Sequence, residues 1–173
     1  MKNLKERYDQ TQTVCFTGHR PGRLPKGEDA LKMQHRLSDA IEDAIKRGKI
    51  NFVSGAMSGF DTLAAEQVIK LKEKYPHIQC ILVKPFSLEF FNTNSWTQKW
   101  EARLRAVIKE ADFSTSLAKR YRKGIYFKRN EVIVDMSSEV IAYYDGGRGG
   151  TKHTIDYANR KGKTIKNIED LER

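Results

Sequence analysis

Asn51-Phe52-Val53-Ser54-Gly55-Ala56-Met57-Ser58-Gly59-Phe60-Asp61 changes character twice within one short stretch. Asn51-Phe52-Val53 reads as a strand, which Ser54-Gly55 breaks. From about Asp61 onward, Leu63, Ala64, Val68 and Leu71 recur on one helical face, and the pattern ends before Pro76. Strand, glycine-rich turn and helix together point free backbone N–H groups and a positive dipole end at an anion. The spacing Gly55-x-x-x-Gly59 is not the dinucleotide fingerprint, and the absence of a Lys excludes a P-loop. The same residues also read as an ordinary strand-to-helix turn with Asp61 as the helix N-cap.

The alternation continues on both sides of this stretch. Thr13-Val14-Cys15-Phe16-Thr17 is a strand running into Gly18, followed by a loop punctuated by Pro21, Gly22, Pro25 and Gly27. A helix from near Glu28 carries Met33, Leu37, Ala40, Ile41, Ala44 and Ile45 at helical spacing and stops at Gly48. Residues 78–83 form a continuous apolar run, typical of a strand buried on both faces of a parallel sheet, and Lys84-Pro85-Phe86 closes it. Residues 87–94 read as loop, 96–111 as helix and the region of Phe113 as a short strand. Helices over 126–136 and 151–160 and strands over 139–144 and 164–165 complete the pattern. Repeated strand–helix units with short connections predict an α/β fold, a Rossmann-like three-layer α/β/α domain with a mainly parallel sheet. No repeat or internal boundary is visible, so residues 1–173 are expected to form a single domain, with residues 1–11 loosely held.

The composition narrows the function classes. No stretch approaches the apolar run of a membrane span, and residues 1–12 lack the apolar core of a signal peptide, so a cytoplasmic location without membrane association is expected. Cys15 and Cys80 lie inside strand-like runs, as buried free cysteines do. His19, His35, His77 and His153 show no ligand spacing; no metal and no cofactor are expected. The formal net charge of +10 predicts attraction to anions.

In an open parallel sheet, ligands bind where the carboxyl ends of strands lead into helices. Thr17-Gly18-His19-Arg20-Pro21 follows the first strand: Gly18 permits close backbone approach, Arg20 offers a planar fork for phosphate, and His19 is a proton carrier or a solvated loop residue. Ser54, Gly55, Gly59 and Asp61 belong to the stretch quoted above. Asp145-Gly146-Gly147-Arg148-Gly149-Gly150-Thr151 is the most concentrated signal. Its four glycines point to close backbone–ligand contact, and Thr151 can cap the next helix or donate its hydroxyl to a phosphate. Lys119, Arg120, Arg122, Lys123, Lys128 and Arg129 alternate with Tyr121, Tyr126 and Phe127, a pattern that suits single-stranded nucleic acid or else a solvated basic face.

These residues carry a resemblance. Val53-Ser54-Gly55-Ala56-x-x-Gly59-x-Asp61 with Ala65 resembles the glycine-rich turn of DprA/Smf proteins. Phe127-Lys128-Arg129-Asn130 followed by Gly146-Gly147-x-Gly149-Gly150-Thr151 resembles the LOG-type phosphoribohydrolases. With Thr17-Gly18-His19-Arg20-Pro21, the whole pattern over residues 12–168 is similar to the YpsA-like proteins of the SLOG superfamily, which occur in bacteria and their phages. The resemblance implies a Rossmann-like fold whose glycine-rich loops bind nucleotides or nucleotide-derived ligands, and a homodimer. It also implies that Arg129 serves the site. LOG-type relatives cleave N-glycosidic bonds of nucleotides, and DprA-type relatives bind single-stranded DNA. The acidic residue that LOG-type enzymes carry three places after the Gly-Thr pair is here Thr154, and a hydroxyl cannot supply the charge that stabilises a departing sugar. Asp61, Glu66 and Asp145 are the carboxylates that could replace it. A binding module that senses or sequesters a nucleotide is therefore expected ahead of an N-glycosidic hydrolase or a single-stranded DNA binder.

Overall fold

The computed structural model describes residues 3–94 and 96–169. Six strands, β1 (Thr13–Gly18), β2 (Asn51–Ser54), β3 (Gln79–Phe86), β4 (Phe113–Ala118), β5 (Glu139–Tyr143) and β6 (Thr164–Asn167), alternate with helices. These are α1 (Leu4–Arg7), α2 (Gly27–Lys46), α3 (Phe60–Leu71), α4 (Gln98–Glu110), α5 (Ile125–Asp135) and α6 (Gly150–Arg160). All pairings are parallel, and the order across the sheet is β4-β3-β2-β1-β5-β6. This is an α/β Rossmann-like fold with helices on both sides of the sheet.

Alternation along each strand divides the core in two. Phe16, Phe52 and Leu82 point to one face, where Met33 and Leu37 of α2, Leu63 and Val68 of α3 and Leu104 of α4 cover them. Cys15, Val53, Ile81 and Val140 point to the other, against Ile133 and Val134 of α5 and Ala158 of α6. The chain steps outward from β1 to β4 and then returns to β5 on the far side of β1. A right-handed crossover puts its helix on the opposite face once the direction of travel reverses, which is why α5 and α6 lie opposite α2, α3 and α4.

The sheet departs from the sequence reading at β3, which runs on through Lys84-Pro85-Phe86 instead of closing there. β2 has already ended at Ser54, opposite Leu82, so Pro85 removes no rung between those strands. Part of the stretch read as loosely held is docked. Lys5 Nζ lies 2.9 Å from Asp135, Gln10 donates to the Asp135 carbonyl at 3.0 Å, and Tyr8 packs edge-on against Phe113.

Two glycines let the β1 and β2 loops touch. A Cβ on Gly59 would lie 2.6 Å from the His19 carbonyl oxygen and 2.9 Å from Arg20 Cα, and Gly59 has φ +94°. A Cβ on Gly18 would lie 2.4 Å from the Phe60 ring. Gly59→Ala combines a strained left-handed residue with a backbone clash, and we expect it to destabilise the protein by about 2 kcal/mol or more. Thermal unfolding should register this as a fall in Tm of roughly 4–8 °C.

Candidate functional site

Where strand order reverses, the loops after β1 and β5 diverge to opposite faces and leave a crevice. The cleft there has a volume of about 360 Å³, within the usual range for small-molecule sites. It is walled by residues after β1, by the first turns of α3 and α5 and by Gly149, Gly150 and Thr151 at the start of α6. Arg20, Arg23, Arg129 and Arg148 line it, and Asp61 is the one carboxylate among its described residues.

Arg129 is the least expected of these. It is only 4% exposed, although it carries a guanidinium that stays charged in proteins. It projects from α5 toward the β2–α3 turn, where Nη1 donates to the Gly55 carbonyl and Nε donates to Asn130 Oδ1 at 2.9 Å. Nη2 donates to no protein group among the described residues. A Cβ on Gly55 would lie 2.8 Å from the guanidinium carbon and 2.9 Å from Asp61 Oδ2, so Gly55 makes room for both charged groups. Burial pushes the Asp61 carboxyl above its ordinary value, with Arg129 and Arg20 pulling the other way. Burial likewise works against the charge on Arg129. The cleft floor therefore holds Arg129 and Asp61 facing each other, burial opposing the charge on each and each favouring the charge on the other.

The β1 and β5 loops are tied through His19. This residue is 5% exposed, its Nε2 lies 3.0 Å from Asp145 Oδ1 and 3.2 Å from the Asp145 backbone nitrogen, and its Nδ1 lies 3.5 Å from Thr151 Oγ1. Burial holds the imidazole below its ordinary pKa, against the opposing pull of Asp145. Arg23 closes the same junction, with Nη2 at 2.5 Å from Asp145 Oδ1 and Nη1 donating to the Arg148 carbonyl at 3.1 Å. Burial opposes ionisation of Asp145, but the Gly147 N–H, His19 and Arg23 outweigh it and hold its carboxyl below its ordinary value.

The residues singled out in the sequence separate into two groups. Gly18, His19, Arg20, Asp61, Arg129, Gly149, Gly150 and Thr151 meet in the cleft. Ser54 does not line it; its hydroxyl donates to the Asp61 carbonyl at 2.8 Å and accepts from the Ala56 N–H at 3.2 Å, bracing the turn. Gly55 and Gly59 serve close packing, and Gly147 lies under Arg23, where a Cβ would meet Nη2. Gly146 adopts φ +97° in the turn before that contact. Glu66 projects toward α4, where Arg103 binds its carboxylate with contacts of 2.8 and 3.0 Å, and Asp145 is consumed by the loop junction. Neither lines the cleft. The alternative reading of Asp61 as a helix cap is corrected, because α3 starts one residue earlier with Gly59 as its N-cap. Thr151 likewise sits inside the first turn of α6, whose N-cap is Gly149. Thr154 is buried and donates to the Gly150 carbonyl at 2.9 Å, so no carboxylate replaces the missing acid at that turn.

The sequence profile described as the YspA SLOG family (YpsA) matches residues 14–171. The chain belongs to the YpsA family. A similar protein is the SPbeta prophage-derived protein YoqJ of Bacillus subtilis, 30% identical over 145 residues, covering 78% of this chain and 85% of that one. The UPF0398 protein YpsA of the same organism is 26% identical over 162 residues, covering 87% and 86%. Among solved structures, DNA processing protein A from Streptococcus pneumoniae superposes with a TM-score of 0.60 at 17% identity. It is matched over 94% of this chain, which spans only 50% of that protein. DNA processing protein A from Helicobacter pylori, solved for its single-stranded DNA binding mode, gives 0.63 at 18% identity, over 95% of this chain and 67% of its own. Likeness at that identity establishes the fold.

Sequence reasoning missed Arg23 and Arg148 as cleft cations, along with Met57 and Asn130. Arg23 lies in a loop legible only as Pro/Gly-punctuated, and Asn130 stood in a quoted motif without a role. Among the described residues, no three His, Cys, Asp or Glu side chains converge to hold a metal ion. No helix there is long and apolar enough to cross a membrane.

The depressed pKa of His19 has a defined sign. The unfolded chain protonates this imidazole near the ordinary value of 6.5 while the folded chain resists, so its contribution is fully present above that pH and is lost as pH falls through the folded value. Comparing chemical denaturation of wild type and His19→Gln between pH 8 and 5 should show the wild type losing more stability on acidification. Parallel pH profiles would mean that the imidazole titrates as it does in the unfolded chain.

Proposed function

We propose that this protein binds a nucleotide or nucleotide-derived phosphate ligand in the cleft between the β1 and β5 loops, as a sensor or sequestering module. The observation that carries the reading is the buried Arg129 guanidinium, whose Nη2 donates to no group among the described residues, in a cleft that also receives the N-terminus of α6. Asp61 offsets part of this buried charge, and a phosphate would take the remaining donor while accepting from the backbone of Gly150 and Thr151. Tyr126 and Phe127 on the α5 side supply apolar and aromatic surface for a base or sugar. The reading favours binding over turnover because Thr154 stands where an acid would be needed and bonds its own helix.

Isothermal calorimetry of the wild type against a panel of nucleoside mono-, di- and triphosphates should find binding tighter than millimolar. Arg129→Met, which removes the cation and keeps most of the volume, should weaken it about tenfold or more, since hydrogen bonds to charged groups are worth roughly 1.5–3 kcal/mol. The same nucleotides should be recovered intact. Release of free base that disappears in Asp61→Asn would replace this reading with N-glycosidic hydrolysis using Asp61.

A second reading, single-stranded nucleic acid binding, is favoured by one observation. Phe127, which lines the cleft, and Tyr121, which packs against the cleft residue Tyr126, are 49% and 61% exposed, and Arg120, Arg122 and Lys128 are their neighbours in the chain. Exposed rings next to cations offer stacking platforms along a strand. On this reading, affinity for an oligothymidylate falls steeply with salt, with a log–log slope of roughly −0.7 per phosphate engaged, and weakens further in Phe127→Ala. Binding that is absent or indifferent to salt dismisses it.

A further inference from the structure

Beyond Arg20 the nucleotide cleft adjoins a second hollow of about 280 Å³. Its walls are Pro21, Gly22, Ser58, Thr97 and the rings of Trp96 and Trp100, with no carboxylate among its described lining residues. Arg20 lines both hollows. Its backbone is wedged against Gly59, and its Nη1 reaches Ser58 Oγ at 3.5 Å. The side chain is exposed, so the guanidinium stands at the junction of the two spaces with most of its donors available.

Both tryptophans are half-buried, packed on the core beneath them and open toward this hollow. The Arg103 guanidinium carbon lies 4.4 Å from the centroid of Trp100, and Trp96 sits edge-on to Phe91 at 6.2 Å. Each ring is thus held in place by a neighbour that does not itself line the hollow. Preset rings beside an arginine make a site for a planar aromatic group whose attached phosphate lies on that arginine.

We infer that the ligand of this protein carries two nucleosides joined through a pyrophosphate, a dinucleotide, with the first nucleoside and its phosphate in the Arg129 cleft, the second phosphate of the bridge on Arg20 and the second base against Trp96 and Trp100. The inference rests on the nucleotide reading of the cleft and specifies its ligand class. It also gives the two hollows a common purpose: a mononucleotide fills one and leaves the other empty, whereas a dinucleotide spans both.

The chain holds two tryptophans and both line this hollow, so intrinsic fluorescence reports on the second subsite; Trp100 also borders the adjacent hollow beside Leu24 and Met33, whereas Trp96 does not. The experiment titrates the wild-type protein with adenosine monophosphate, diadenosine diphosphate and a ten-residue oligoadenylate. Tryptophan emission is followed in parallel with calorimetry, and free N-acetyltryptophanamide corrects for absorption. The expected result is that the dinucleotide binds about tenfold tighter than the mononucleotide or better, in line with the contribution of one stacked base. It quenches emission along the calorimetric isotherm, and the mononucleotide binds without quenching. Trp100→Ala, checked for folding by circular dichroism, should bring the dinucleotide down to the mononucleotide's affinity. Phosphate-dependent binding with equal affinities and no quenching overturns the second subsite and leaves the nucleotide site standing. Affinity that climbs steadily from two residues to ten marks a nucleic acid strand and overturns the dinucleotide. Binding of none of the three overturns both.

Discussion

The position of β1 between β2 and β5 is the constraint on which the rest depends. The chain builds the sheet outward from β1 in one direction and must return past it to add β5, and right-handed crossovers then send the following helices to the opposite face. Two neighbouring parallel strands whose connections leave in opposite directions cannot close the space above their carboxyl ends. The cleft is therefore a product of topology before any side chain is considered. Charged side chains collect there because the loops meeting at that point come from parts of the chain far apart in sequence.

Electrostatics then gives the space its character. Arg129 enters from α5, Arg20 and Arg23 from the loop after β1, and Arg148 from the loop after β5. Two acidic residues of this neighbourhood face these cations, and only Asp61 lines the cavity among its described residues. Asp145 is held by His19, Arg23 and the Gly147 N–H, and Asp61 faces Arg129 and Arg20 from a buried position. The concave surface remains positive through arrangement, which the overall charge of the chain does not by itself require. Glycines make this arrangement possible, but through packing. Gly18 seats the Phe60 ring, Gly55 admits Arg129 and Asp61, and Gly59 lets one loop lie on another.

Much of this was legible in the sequence, and the reason is local. Strands and helices advertise themselves through periods of two and 3.6 residues, so all six strands and the five long helices were readable, and the error at β3 concerned only where it ended. Pro85 is an ordinary strand breaker that survives because the neighbouring strand has already stopped. The residues that line the cleft were legible where they follow a strand end directly, as His19 and Arg20 do, or open a helix after a glycine-rich loop, as Thr151 does. It was not legible where a glycine's purpose was steric. Ser54 and Gly147 look like phosphate contacts in a linear reading, yet one braces a turn and the other accommodates an arginine.

The sequence by itself determined the alternation of strands and helices and the parallel sheet that alternation requires, because both follow from spacing along the chain, and its motifs carried the family resemblance that the matching profile bears out. Only the tertiary structure decided which charges share a cavity. Glu66 and Asp61 lie five residues apart on one helix, yet one answers to Arg103 on the outer face and the other to Arg129 inside the cleft. Arg20 and the two tryptophans are separated by more than seventy residues and adjoin the same hollow. Local spacing carries no information about such meetings, which are set by the order of strands in the sheet and by the few glycines that let its loops come into contact.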